Sequence, residues 1–107
     1  MTEDRLVGGW LLRTVTEDLV GAGAARLRQR LLDSPAGHPG VVLDLTAVDR
    51  IDSAGMGVLV AALKRLRARN GQLRLAAARG DVARALHFTG LDKVLPLYPD
   101  VVSALEL

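Results

Sequence analysis

The chain has 107 residues, half of them apolar, and its 14 Lys and Arg against 12 Asp and Glu leave a net charge of +2. That length suits one domain around one core, which must be built from Leu, Val, Ile and Ala because Trp10, Phe88 and Tyr98 are the only aromatics. The lack of cysteine excludes a disulfide scaffold and thiolate metal sites, and the near-balanced charge gives no reason to invoke nucleic acid.

In chain order, Leu6-Val7 reads as a short strand and Gly8-Gly9 opens a second strand over Trp10–Val15. Gly21–Leu32 has helical spacing, with Ala24, Leu27, Leu31 and Leu32 on one face and Arg26, Arg28 and Arg30 leaning outward. Asp33-Ser34-Pro35-Ala36-Gly37-His38-Pro39-Gly40 is a loop, and Val41–Leu45 is an apolar run of the kind covered on both faces of a sheet. A long helix is predicted over Gly55–Arg69 with a buried stripe of Met56, Leu59, Val60, Leu63 and Leu66, stopped by Asn70-Gly71. Leu73–Ala77 is the next strand, Asp81 is expected to cap a helix through Phe88, and Thr89-Gly90 ends it. Val94–Leu97 reads as a last strand and Asp100–Leu107 as a final amphipathic turn or two. Alternating strands and helices predict an α/β domain over residues 1–107, its core about 9–107, with a largely parallel or mixed sheet.

The start, Met1-Thr2-Glu3-Asp4-Arg5, is charged, so no signal peptide is expected, and no stretch approaches the ~20 apolar residues that span a bilayer. The expectation is a cytoplasmic protein with no membrane partner.

The most informative stretch is Val41–Gly57. A buried strand runs into a turn, and Asp52-Ser53-Ala54-Gly55 stands at the start of the long helix. Ser53 or Asp52 serves there as a helix cap. The same position also suits a phosphorylation site, because small neighbours leave the hydroxyl open and a positive helix end tolerates a phosphate. Both readings stand at this point. A nucleophile elbow needs Gly two residues before the serine, where this chain has Ile51, and neither His38 nor His87 sits in a triad setting. Gly21-Ala22-Gly23 lacks the third glycine of a dinucleotide turn and reads as a flexible helix start. Asp44, Asp49 and Asp52 have no His or Cys to complete a tight metal site, so turn and cap roles are expected, with Asp49 and Asp52 also able to orient a partner or the serine. The basic run Lys64, Arg65, Arg67, Arg69 and Arg74 has no interleaved aromatics, which favours a solvated face over a nucleic-acid or lipid patch. No cofactor is implied.

Val41-Val42-Leu43-Asp44-Leu45, then Ile51-Asp52-Ser53-Ala54-Gly55-Met56-Gly57-Val58-Leu59, Asn70-Gly71-Gln72-Leu73 and Phe88-Thr89-Gly90-Leu91-Asp92 together resemble the STAS domain family. Within it they are similar to the stand-alone anti-sigma-factor antagonists of bacteria. The resemblance implies a single domain with a four- to five-stranded mixed sheet and four helices. It also implies partner switching: the unmodified protein binds an anti-sigma factor that is a serine kinase, supplying ATP and Mg²⁺. Phosphorylation of the serine matched by Ser53 then releases it, and a serine phosphatase restores it. Thr16-Glu17-Asp18-Leu19 stands where the family often has Gly-Glu-Leu-Asp, and Asp18 takes the place of the acidic residue. Partner contacts are expected at Asp18, Asp49, Arg50, Asp52, Ser53, Ala54 and Met56, with Met56 either an exposed anchor or a core residue. The alternative is an accessory or scaffold STAS module of a transporter or stress-signalling complex, without phosphorylation.

Overall fold

The computed structural model describes residues 3–32 and 40–106, so the expectations for Met1, Thr2, the Asp33–Pro39 loop with His38, the Leu32 side chain and Leu107 lie outside the described residues. The chain opens with a hairpin in which β1 (Glu3–Val7) pairs antiparallel with β2 (Trp10–Thr14). Gly8 and Gly9 both adopt positive φ, +56° and +86°, the conformation a two-residue hairpin turn demands. β1 is longer than the Leu6-Val7 segment read from sequence. Glu3-Asp4-Arg5 looks like a charged terminus, yet Asp4 is tied across the hairpin to Arg13, a cation only 3% exposed, at 2.8 Å.

From there strands and helices alternate: α1 (Gly21–Leu32), β3 (Gly40–Asp44), α2 (Ser53–Arg67), β4 (Gln72–Ala76), α3 (Gly80–Phe88), β5 (Leu97–Tyr98) and α4 (Val101–Leu105). The sheet order is β1-β2-β3-β4-β5, with β2 through β5 parallel. This is the mixed sheet with four helices that the sequence implied. Leu11, Leu43, Leu73 and Leu75 meet Leu27 of α1, Leu59 and Leu63 of α2 and Leu86 of α3 in the main core. On the other face α4 covers Trp10, Val42 and Ala76 with Ala104. The Arg74 guanidinium lies over Trp10 at 4.3 Å and Tyr98 at 5.1 Å and donates to the Ala104 and Glu106 carbonyls, so it belongs to this small core and not to a basic run.

Several boundaries move for physical reasons. α2 starts at Ser53, two residues early, because Asp52 is extended (φ −119°) and caps it; it ends at Arg67, where the Gly71 amide turns back to the Leu66 carbonyl at 2.7 Å past left-handed Asn70. Its buried face is Gly55, Val58, Leu59, Ala62 and Leu63, with Met56, Val60 and Leu66 only half-buried. The small residues Gly55 and Ala62 turn that face away from the stripe drawn through the larger side chains. β2 and β4 each stop one residue before the predicted end, and Ala77 turns left-handed at φ +61°. Asp81 does not cap α3: Arg79 occupies the cap position without a side-chain bond, and Asp81 lies in the first turn paired with Arg84. The last strand is Leu97–Tyr98 instead of Val94–Leu97, since Leu91–Lys93 forms a 3₁₀ turn that sends Leu95 wholly into the core. Asp100 caps α4 through the Ser103 amide at 2.7 Å.

Candidate functional site

Parallel strands present their carboxyl ends together, and the loops that leave them form one surface. Here the loops after β2, β3 and β4 meet at the start of α2. The β2–α1 and β3–α2 loops are joined as a miniature extension of the sheet: the Leu19 amide donates to the Arg50 carbonyl at 2.9 Å and the Asp52 amide donates to the Leu19 carbonyl at 3.2 Å. Asp18 adds a side-chain tie, its Oδ1 accepting the Asp49 and Arg50 amides at 2.8 and 3.3 Å. Asp18 thus holds the loop in shape.

Asp52 is the centre of the arrangement. Its Oδ1 accepts the Gly55 amide of α2 at 2.9 Å and its Oδ2 accepts the Gly21 amide of α1 at 3.2 Å. These bonds favour the charged form, the Gly55 bond most, and hold the carboxyl below its ordinary value against a smaller opposing effect of burial. Glycine is required where these loops and helices touch. A Cβ on Gly55 would stand 2.1 Å from the Leu19 carbonyl oxygen, and one on Gly23 would stand 2.2 Å from that of Asp18. Of the glycines at the start of α1, Gly23 therefore serves close approach and Gly21 the left-handed conformation at φ +49°, and neither serves flexibility. Gly55 likewise packs against the β2–α1 loop and Ile51.

Ser53 is the first residue of α2, and it is exposed together with Ala54 and Gly57. Asp52 supplies the cap, so the serine hydroxyl is not needed for that role. A first helical turn offers amides without intrahelical partners and the positive end of the helix dipole, and the Asp52 carboxylate accepts the Gly55 amide of this turn. Arg50 and Asp49 are exposed on the adjoining loop, and Met56 is half-buried behind Ser53, between the anchor and core roles. All seven expected contact residues thus lie on one corner of the molecule.

Arg79 is the residue that the sequence reading missed. It leaves the end of β4, donates Nε to the Thr46 carbonyl at 2.9 Å and places Nη2 2.9 Å from Asp49 Oδ1. Its position in the third loop at the carboxyl ends of the strands was the available signal. Asp44 is engaged with its own turn, accepting the Thr46 amide at 3.0 Å. Among the described residues no three His, Cys, Asp or Glu side chains gather to hold a metal ion. No described helix is long and apolar enough to cross a membrane.

The fold and this corner define a STAS domain. The STAS domain model matches residues 3–104, and the chain belongs to that family. It is 34% identical to the crystal structure of an anti-sigma factor antagonist from Mycobacterium paratuberculosis, with a TM-score of 0.82, covering 98% of this chain and 90% of that one. It is 32% identical over 65 residues to an anti-sigma F factor antagonist of Paenibacillus polymyxa, an aligned segment that spans 61% of this chain and 56% of that relative's length. A sulfate transporter family protein from Wolinella succinogenes superposes with a TM-score of 0.82 over 94% of this chain and 85% of that one; at 20% identity this likeness is one of fold alone.

Proposed function

We propose that this protein is an anti-sigma-factor antagonist that works in the cytoplasm by partner switching at Ser53. Unmodified, it binds an anti-sigma factor that is also a serine kinase. In that complex the Ser53 Oγ attacks the γ-phosphorus of the partner's Mg²⁺-bound ATP, the hydroxyl proton is lost, ADP leaves, and the antagonist is released as the phosphoprotein. A serine phosphatase hydrolyses the ester and restores binding. The chain supplies the acceptor hydroxyl and the docking surface, and the partner supplies the catalytic groups.

The observation that carries this reading is the division of labour at the corner: Asp52 caps the helix and Ser53 stays exposed on its first turn. A phosphate there brings about −1.5 to −2 charges and three acceptor oxygens onto a positive helix end, so the fold is kept. A partner surface that buried a neutral hydroxyl would face a hydrated dianion instead. The kinship to proteins named anti-sigma factor antagonists supports the same role. The likeness to a transporter-family domain extends to fold only and gives no separate support to an accessory role.

Incubation with the cognate kinase anti-sigma factor, ATP and Mg²⁺ tests the reading by mass spectrometry. One phosphate is expected on the native protein and none on Ser53→Ala. Modification at another residue with Ser53 untouched contradicts it.

A further inference from the structure

At the pole opposite Ser53 the charge distribution is one-sided. α1 and α2 pack on each other, and both return against the parallel strands, so their C-terminal ends lie side by side. Residues 21–32 carry three basic side chains and residues 53–69 carry four, half of the chain's 14 Lys and Arg, with no Asp or Glu in either segment. Arg26 is paired to a carboxylate outside them, that of Glu17, and Arg67 donates to the Val94 carbonyl. Arg28, Lys64, Arg65 and Arg69 are exposed, and among the described residues none of these four side chains makes an ion pair or hydrogen bond. The helix dipole favours cations, but only within the last turn, and Arg28 lies before it. The like charges of Arg28, Lys64, Arg65 and Arg69 on two adjoining helices repel one another, so complementary charge from outside would stabilise this face.

We infer that this face is a second docking surface, for an acidic amphipathic helix of another protein. Between Arg28 and Arg65 runs a shallow cleft floored by Leu31, Val58, Ala61 and Ala62. An apolar floor with small side chains admits the apolar side of a helix, and the two guanidinium forks on its rims suit carboxylates on the flanks of that helix. A membrane surface fits less well. Anchoring in lipid needs large apolar side chains, and the exposed ones among the described residues, Leu6, Phe88, Val94 and Val102, all lie off these two helices. A nucleic acid also fits less well, because neither helix carries an aromatic side chain on which a base could stack. The surface is independent of the Ser53 switch.

The test is NMR titration of the labelled protein with a synthetic helical peptide bearing Leu on one side and Glu on the other. Parallel titrations use its Lys-for-Glu counterpart, a short DNA duplex, and vesicles rich in phosphatidylglycerol. The expected result is amide shifts at Arg28, Leu31, Ala61, Lys64 and Arg65 with the Glu peptide alone. Arg28→Gln with Arg65→Gln should weaken that binding about tenfold, with Tm unchanged because both side chains are exposed. Tighter binding of DNA or vesicles than of the Glu peptide overturns the inference, as does equal binding of the peptide to the double variant.

Discussion

The Asp52 carboxylate accepts the Gly21 amide at 3.2 Å across 31 positions of sequence, while its other oxygen caps its own helix at Gly55. One side chain therefore fixes the first turns of α1 and α2 against each other and leaves the neighbouring Ser53 hydroxyl unburdened. Asp52→Ala is expected to lower Tm by several degrees and Asp52→Asn, which keeps one acceptor, by less. Thermal unfolding followed by circular dichroism checks the order. An unchanged Tm in Asp52→Ala would show that the bridge is not stabilising.

The same carboxylate sets a pH dependence. Its folded pKa lies below the ordinary 3.8, mainly through the Gly55 amide and next through that of Gly21. A carboxyl depressed in the native state binds fewer protons than in the unfolded chain, so its contribution is complete above 3.8 and is lost as pH falls through the lower native value. Asp100, held down by the Ser103 amide, adds to the same acid limb. Urea unfolding at stepped pH should show Asp52→Asn losing less stability than the native chain below 3.8. Identical acid limbs would contradict the assignment.

Two glycines a half-turn apart on α2 are predicted to differ sharply. A methyl on Gly55 meets the Leu19 Cβ at 2.8 Å and the Leu19 carbonyl oxygen at 2.1 Å, a backbone atom that cannot yield without parting the two loops; Gly57 has nothing within 4 Å. Gly55→Ala should cost about 3 kcal/mol by chemical denaturation, and Gly57→Ala should gain up to about 1 kcal/mol from helix propensity. Equal effects would refute the close-approach explanation.

The pattern of success and failure in the sequence follows from what each signal reports. The Val41–Leu45 run, the helical spacing of residues 21–32 and the Asp-Ser-Ala-Gly corner were legible, because burial on two faces, periodicity and capping chemistry are local properties. The strand character of Glu3-Asp4-Arg5 was hidden, since it depends on Arg13 across the hairpin. Val94 to Leu97 carried strand-like apolar residues, yet Leu95 is spent on the core in a non-strand conformation. At the site, the cap that Asp52 gives its own helix was legible, but its bond to Gly21 and the task of Asp18 were not, because those amides lie about 31 positions away. Arg79 escaped for the same reason, its partners Thr46 and Asp49 being supplied by another loop.

Asp18 offers a prediction separable from stability. Its carboxylate satisfies the Asp49 and Arg50 amides, so Asp18→Ala should speed hydrogen exchange at those two positions about tenfold, the equivalent of roughly 1.4 kcal/mol for a bond to a charged acceptor. Asp18→Asn, with an acceptor in the same place, should restore much of the protection. Binding of the anti-sigma factor should weaken in step with the loosened loop. Unchanged exchange in Asp18→Ala would remove the loop-holding role.

Whether the switch exists is decided by comparing the affinities of the Ser53-phosphorylated and unmodified proteins for the cognate anti-sigma factor, with matched unfolding curves to show that both are folded. Phosphorylation should weaken the complex roughly 10²–10³-fold, equivalent to about 3–4 kcal/mol, while Tm moves by no more than a few degrees. Equal affinities for the two forms would contradict partner switching at Ser53.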